Sequence, residues 1–410
     1  MGWRERSFCH IPTAERKTMT ELTEEEKESI ARSLVNESLK IGRKPDGGFE
    51  SVRILYNATD PTCVDFAFKV EEECWKVGAH TLTLTYRSGR EKLKYSLKPE
   101  ESLREMDPLA KALVETVDVT LFIGEEDDPQ WSKDLAERIK LTAPNRQKLR
   151  EILDARKVRW AYMGWPIPGA AEGYGCPVEK FRSIFFNSIR NSFTDKLQSL
   201  CNFYREALEG GGVVEIRAED GTELSFEIRG RPILVDDAVI SEEDLKRGDV
   251  GLNIPSGEVF VAPIETSANG RIFFENVAIP GFGKIRGLWL EFKDGKISSY
   301  RAAEGEEVFT KFLNANTGEK DRIAELGIGC NPGAEYTGGS IIIDEKIYKT
   351  IHLAIGSNTG AYHGKNKASS HLDMIKGMEK GELRVDGRVV MKAGEPIPRG
   401  LNFKADFLQG

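Results

Sequence analysis

The chain has 410 residues, 58 of them basic and 66 acidic, for a net charge of −8. That balance argues against a nucleic-acid partner, which would want a basic face, and no apolar run approaches the roughly 20 residues that cross a bilayer. Hydrophobic content of 40% and charged content of 30% suit a soluble globular enzyme, and the length exceeds what one core fills, so two domains are expected.

The opening stretch, residues 1–20, carries charges but no apolar segment of the kind that secretory signals need, and is expected to be a disordered extension. Cys9, Cys63, Cys74, Cys176, Cys201 and Cys330 are scattered, with no closely spaced pair. Reduced thiols in a cytoplasmic protein follow, and a cysteine-based zinc site does not.

A helix is predicted over 22–41, with Thr23 and Glu26 as a capping box and Ile30, Leu34 and Leu39 as its apolar stripe. A strand at 52–56 follows, then a helix from Asp60 and Pro61 to about 77, stopped by Gly78. A β-branched strand is predicted at 81–86, a helix at 99–116 with a break near Pro108, and an apolar strand at 117–123. Helical segments around 132–139 and 145–155 lead to a strand at 159–163. Strands alternating with helices at this spacing imply a doubly wound, largely parallel sheet. It carries neither the glycine fingerprint of dinucleotide-binding folds nor a P-loop.

Residues 165–175 read as a loop and 177–209 as a long helical stretch ending at Gly210-Gly211-Gly212. The triple glycine places the boundary between an α/β domain, 21–210, and a β-rich α+β domain, 211–410. In the second half, strands at 213–218 and 222–228 flank Asp220-Gly221, a hairpin signal. Further strands are expected at 259–264, 271–277, 285–292, 296–300, 340–343, 349–355 and near 383–391, with one helix at 305–314.

The stretch from Arg322 to Met374 carries the chemistry. Three of the five histidines, His352, His363 and His371, fall here, and Asp373 lies two residues after His371. Imidazoles and carboxylates among glycines suit a divalent metal. On an extended segment, His371 and Asp373 point to the same face. His352 lies on a strand opposite in direction to Ile351, Leu353 and Ile355. Neither Glu325 nor Glu258 stands out by spacing, and Cys330 reads as a small buried residue after a strand.

The blocks NIPSGEVFVAP, AELGIGCNPGA, DEKIYKTIHLAIG and SSHLDM, in that order, resemble the signatures of the M29 family of metallo-aminopeptidases. The first half is similar in its βα alternation and in WKVGAHTLTLTY and GWPIPGAAEGYG. The resemblance implies an α/β domain beside a β-rich metal-binding domain, a homodimer, and peptide or small-molecule substrates. It implies two divalent metals (zinc, cobalt or manganese) held by Glu258, Glu325, His352, His371 and Asp373. In the hydrolysis that follows, a glutamate ligand or a nearby carboxylate, with Glu325 the candidate, would take the attacking water's proton. Where the family has a tyrosine near the metals this chain has Thr359, and Tyr362 or His363 in the same loop would serve instead. Some proteins similar to this family are mononuclear Fe(II) dioxygenases that open dihydroxypyridine-type rings. His352, His371 and Asp373 would suffice for that chemistry, whereas retention of both Glu258 and Glu325 favours two metals and hydrolysis.

Overall fold

The computed structural model describes residues 20–398, so the extension expected at 1–20 lies, but for Thr20, outside the described residues. The predicted capping box forms: the Thr23 side chain accepts from the Glu26 amide, and the helix Glu24–Ser33 follows. Four strands of the first half line up in parallel: β1 (Ser51–Asn57), β2 (His80–Tyr86), β3 (Val119–Ile123) and β4 (Arg159–Met163). Between β1 and β2 runs the helix Pro61–Lys76, capped by Asp60, which buries Phe66, Val70 and Cys74.

After the triple glycine come β5 (Val213–Ala218), β6 (Glu223–Glu227) and β7 (Leu234–Asp236). The chain then returns to the first sheet. Strand β8 (Gly251–Ile254) pairs in parallel with β4, and the sheet order is β2-β1-β3-β4-β8. Next are β9 (Glu258–Val261), β10 (Asn269–Ile279), β11 (Gly283–Lys293), β12 (Lys296–Arg301), β13 (Ile323–Gly329), β14 (Thr350–Gly356) and β15 (His371–Gly377). The last strands are β16 (Gly381–Val385), β17 (Arg388–Lys392) and β18 (Glu395–Pro396).

These strands make two further sheets. One has the order β12-β11-β10-β6-β5-β16-β17-β18, the other β15-β14-β13-β9-β7, and every pairing in both is antiparallel. They share one core. Ile216, Leu224, Phe274 and Leu290 of the first pack with Val261, Leu326, Leu353 and Met374 of the second. Fully burying such a side chain contributes about 1.5–3 kcal/mol, so this face of the β13–β15 ladder is rigidly placed.

Local chemistry overrides several predicted elements. The run 340–343, expected as a strand, is the short helix Ile341–Asp344. The Asp344 carboxylate accepts from Thr337 N, Thr337 Oγ1 and Gly339 N at 2.7, 2.8 and 3.0 Å, which coils the segment. A short apolar run alone does not tell strand from helix. The glycine-rich stretch expected as a loop is the helix Pro168–Tyr174, with Pro168 at its first turn and left-handed Gly175 at its end. The long stretch 177–209 splits into Val178–Ser192 and Asp195–Leu208, because Thr194 caps a new helix by accepting from Leu197 N. The helix predicted at 99–116 breaks where expected, with Asp107 capping Pro108–Thr116.

Candidate metal centre

The site lies on the polar face of the β15-β14-β13-β9-β7 sheet. In antiparallel pairs, residues directly opposite share a face. Glu325 pairs with Ala354, Gly327 with His352, and Gly329 with Glu258. Ala354 pairs in turn with Asp373, Gly356 with His371, and Glu258 with Asp236. One face therefore carries Asp236, Glu258, Glu325, His352, His371 and Asp373. The other carries Leu326, Ile328, Ile351, Leu353, Ile355, Leu372 and Met374, all in the core. A bulge between Ile323 and Glu325 shifts the register of β13 and puts Glu325 on the polar face.

Small residues make the room. A Cβ on Gly327 would lie 2.0 Å from the His352 ring, and one on Gly329 would lie 2.0 Å from the Ile347 carbonyl oxygen. The structure thus brings together all five residues that the sequence singled out as ligands. Glu258, Glu325 and His352 are buried, whereas the His371 side chain is 28% exposed, at the rim.

Glu325 joins two groups. Its Oε1 lies 3.2 Å from His352 Nε2, and its Oε2 lies 3.0 Å from His371 Nε2. His352 Nε2 is also 3.6 Å from Glu258 Oε2, and His371 Nε2 is 3.2 Å from Asp373 Oδ1. The His371 Nδ1–H donates to the Ser357 carbonyl at 2.7 Å, which fixes the tautomer and leaves Nε2 facing the carboxylates.

Two donor sets follow. Glu258, Glu345 and His352 bring one donor atom each within 4.8 Å of one another, and so do Glu325, His371 and Asp373. Glu258 Oε2 and Asp373 Oδ1 are buried without a hydrogen-bond partner among the described residues. Orphaned buried carboxylate oxygens are costly unless a cation takes them. Imidazole with carboxylate is the donor chemistry of zinc, cobalt and manganese. The residues fit a divalent metal.

The charges are strongly coupled. Burial raises the Glu258 carboxyl well above its ordinary value, and the neighbouring charge of Glu345 pushes the same way. Burial also opposes ionisation of Glu325, but its bonds to His352 and His371 outweigh that and hold its carboxyl well below the usual range. For His352, burial favours the neutral ring, yet the Glu325 carboxylate wins and lifts it to about 9.

Sequence reasoning missed three members of this cluster: Glu345, Lys346 and Asp236. The Lys346 ammonium is completely buried, 2.6 Å from Glu258 Oε1, 2.6 Å from Glu345 Oε1 and 3.3 Å from Asp236 Oδ2. The only signal for Glu345 and Lys346 was their place inside the DEKIYKTIHLAIG block, and Asp236, more than a hundred residues earlier, had none.

The loop between β14 and β15 is pinned. The Asn366 amide donates to Asn358 Oδ1 at 2.8 Å, and Asn366 Nδ2 donates to the Ile323 carbonyl at 2.8 Å. Glu265 accepts from the Lys365 amide at 2.6 Å and from Arg231 Nη2 at 2.6 Å. Thr359 is exposed. The Tyr362 ring packs 6.0 Å from the His371 ring and 5.5 Å from the Phe260 ring. Burial raises the Tyr362 phenol well above its ordinary value, with Glu325, Asp373 and Glu258 adding to the rise. His363 is exposed, in the left-handed region, and its carbonyl accepts from Arg231. Cys330 is fully buried, as expected of a core residue.

Comparison with known proteins matches residues 48–397 to the thermophilic metalloproteases of family M29. Aminopeptidase AmpS of Bacillus subtilis (strain 168) is 22% identical over 390 residues, covering 83% of this chain and 90% of that protein. Aminopeptidase T of Thermus aquaticus is 27% identical over 165 residues, covering 36% of this chain and 38% of that protein. Among solved structures, wild-type AmpT from Thermus thermophilus has a TM-score of 0.70 at 20% identity, over 90% of this chain and 98% of that one. The 2,5-dihydroxypyridine dioxygenase of Pseudomonas putida KT2440 has a TM-score of 0.59 at 15% identity, over 92% and 98% of the two chains. These two likenesses establish the fold, a parallel α/β sheet followed by antiparallel sheets. The family match spans most of the sequence, and the chain belongs to the M29 family of metalloproteases.

Proposed function

We propose that the chain is a metal-dependent aminopeptidase, removing amino-terminal residues from peptides at a centre of two divalent cations. One observation carries the reading: the two oxygens of Glu325 reach one histidine each, His352 and His371, and so link two donor sets. Glu258 adds to this a buried oxygen, Oε2, that faces His352 and that Lys346 does not occupy. The names of the aminopeptidase relatives support hydrolysis in the same direction.

Glu258, His352 and Glu325 would hold one ion, and Glu325, His371 and Asp373 the other. Bound there, zinc, cobalt or manganese would supply an acidified water and positive charge for the oxyanion that develops during attack. The remaining chemistry belongs to the chain. Glu325 has both oxygens engaged with the histidines, so we give it the bridging role. We assign the water's proton to Glu345, whose carboxyl is raised by burial and so is the better base. Tyr362 stays neutral because burial opposes its ionisation, so its hydroxyl is a donor for the scissile carbonyl oxygen. A cleft lined by Tyr336, Gly339, Asp344, His371 and Asp373 leads to the donors and gives a substrate its way in.

Five buried free thiols among the described residues suit a reducing compartment, which supports a cytoplasmic enzyme. Among these residues, no helix is long and apolar enough to cross a membrane. Family resemblance supports a homodimer, and sedimentation at the monomer mass of 45.8 kDa would remove that part.

The test is metal content together with hydrolysis of leucine p-nitroanilide. We expect two divalent ions per chain, activity lost on chelation and restored by zinc, cobalt or manganese, and no cleavage of the N-acetylated substrate. A single ferrous ion with no hydrolysis would replace this reading by ring cleavage.

A further inference from the structure

We propose that Lys346 is a built-in third cation of the centre, which weakens the Glu258–His352 subsite so that its divalent ion binds second. The inference rests on the two-cation reading above and extends it to a residue outside both donor sets.

The geometry is specific. A fully buried lysine persists only where carboxylates pair with it. Here three do: Glu258 and Glu345 at 2.6 Å each and Asp236 at 3.3 Å. The Lys346 carbonyl accepts from the Asn331 amide at 2.8 Å, which anchors its backbone beside β13. One ammonium among three carboxylates leaves two negative charges, which one divalent ion neutralises. On the other side, Glu325 and Asp373 also bring two negative charges, and both face histidines rather than a lysine. Two divalent ions with Lys346 therefore close the charge balance of the whole cluster.

The subsites are nevertheless unequal. Lys346 occupies Oε1 of both Glu258 and Glu345. Glu258 keeps only Oε2 for an ion, an oxygen that is buried, without a hydrogen-bond partner, and 3.6 Å from His352 Nε2. An ion there would share its carboxylate with an ammonium inside a low-dielectric interior, where like charges repel strongly. The Glu325–Asp373 subsite has no such neighbour, and His371 opens it to solvent. We therefore assign the tight, first-loaded ion to Glu325, His371 and Asp373, and the weaker ion to the side of Lys346.

The test is titration of the metal-free, full-length protein with Mn(II), by calorimetry and by metal analysis after dialysis against a graded chelator series. Wild type should show two binding steps at least tenfold apart. Lys346→Met should tighten the weaker step at least tenfold and leave the tighter one in place. Lys346→Gln repeats the test should the Met variant not fold. Asp373→Asn should remove the tighter step, which assigns it. Loss of a purely structural residue would weaken binding, so a gain separates the two roles. Two equal steps in wild type, or no tightening in either Lys346 variant, would overturn the assignment. Absence of a second step in wild type and both variants would instead overturn the two-cation reading itself.

Discussion

Gly327 lies opposite His352 on the β13–β14 ladder, and the imidazole occupies the space that a side chain at 327 would need. A Cβ there would come within 2.0 Å of both Cε1 and Nε2 of the ring. The clash is with a fully buried histidine whose own strand is packed on its other face, so little can give. Gly327→Ala should therefore push His352 away from Glu325. We expect loss of divalent-ion affinity at the His352 side and a fold destabilised by about 1–3 kcal/mol, the range for an overpacked interior. Metal analysis with a urea melt measures both, and an unchanged ion content would show that the ring has somewhere else to go.

Glu325 is the other member of that contact. Glu325→Gln keeps the shape but removes the charge that both histidines face. The expected result is loss of at least one ion per chain and a fall in kcat of about a hundredfold or more, as for removal of a main electrostatic group. Near-normal turnover with full metal content would take Glu325 out of the centre.

The first half of this picture was readable because it is local. The spacing of His371 and Asp373 predicts a shared face, and β15 places them so. The capping box at Thr23, the Asp60–Pro61 helix start and the break at Pro108 all form, because each depends on a few neighbouring atoms. Glu258 and Glu325 needed the resemblance to be seen at all, since a lone glutamate beside a glycine is a common surface pattern. Lys346 was invisible for a stronger reason. Asp344-Glu345-Lys346 looks like a solvated turn, and its burial depends on Glu258, 88 residues away. The helix Ile341–Asp344 was missed because hydrogen bonds from Thr337 and Gly339 to Asp344, not its three isoleucines, decide its shape.

The loop that departs from the family's pattern yields a division of labour between Tyr362 and His363. Tyr362 packs on His371, whereas the His363 side chain is exposed and its backbone is engaged, the amide with Gly360 and the carbonyl with Arg231. Tyr362→Phe should lower kcat by about ten- to a thousandfold with little change in KM, because a donor to the developing oxyanion acts only in the transition state. His363→Ala should retain most of the activity. The reverse order of effects would transfer the role to His363.

Glu265 holds that loop in place through the Lys365 amide and a buried pair with Arg231, whose side chains are 7% and 11% exposed. Arg231 in turn reaches the His363 carbonyl, one residue beyond Tyr362. Glu265→Gln should loosen the loop and lower kcat through Tyr362. In the double variant with Tyr362→Phe the two losses should then fall short of additive. Fully additive losses in kcat would show that Glu265 acts elsewhere.

Away from the metals, Glu125 sets a pH dependence of stability. It follows β3 and accepts from Ser340 Oγ at 3.1 Å and from the Tyr174 hydroxyl at 3.4 Å. Burial pushes its carboxyl from 4.5 up to about 7, against the pull of these bonds. The folded chain thus binds this proton more tightly than the unfolded chain does. The resulting stability is fully present below pH 4.5 and is lost as pH rises through about 7. Glu125→Gln stays neutral throughout and should lack this loss. Relative to wild type, the variant should be more stable at pH 8 than at pH 4.5 by up to about 3 kcal/mol. Urea melts of the two proteins across this range measure the difference, and parallel curves would mean that Glu125 ionises in the fold as easily as in water.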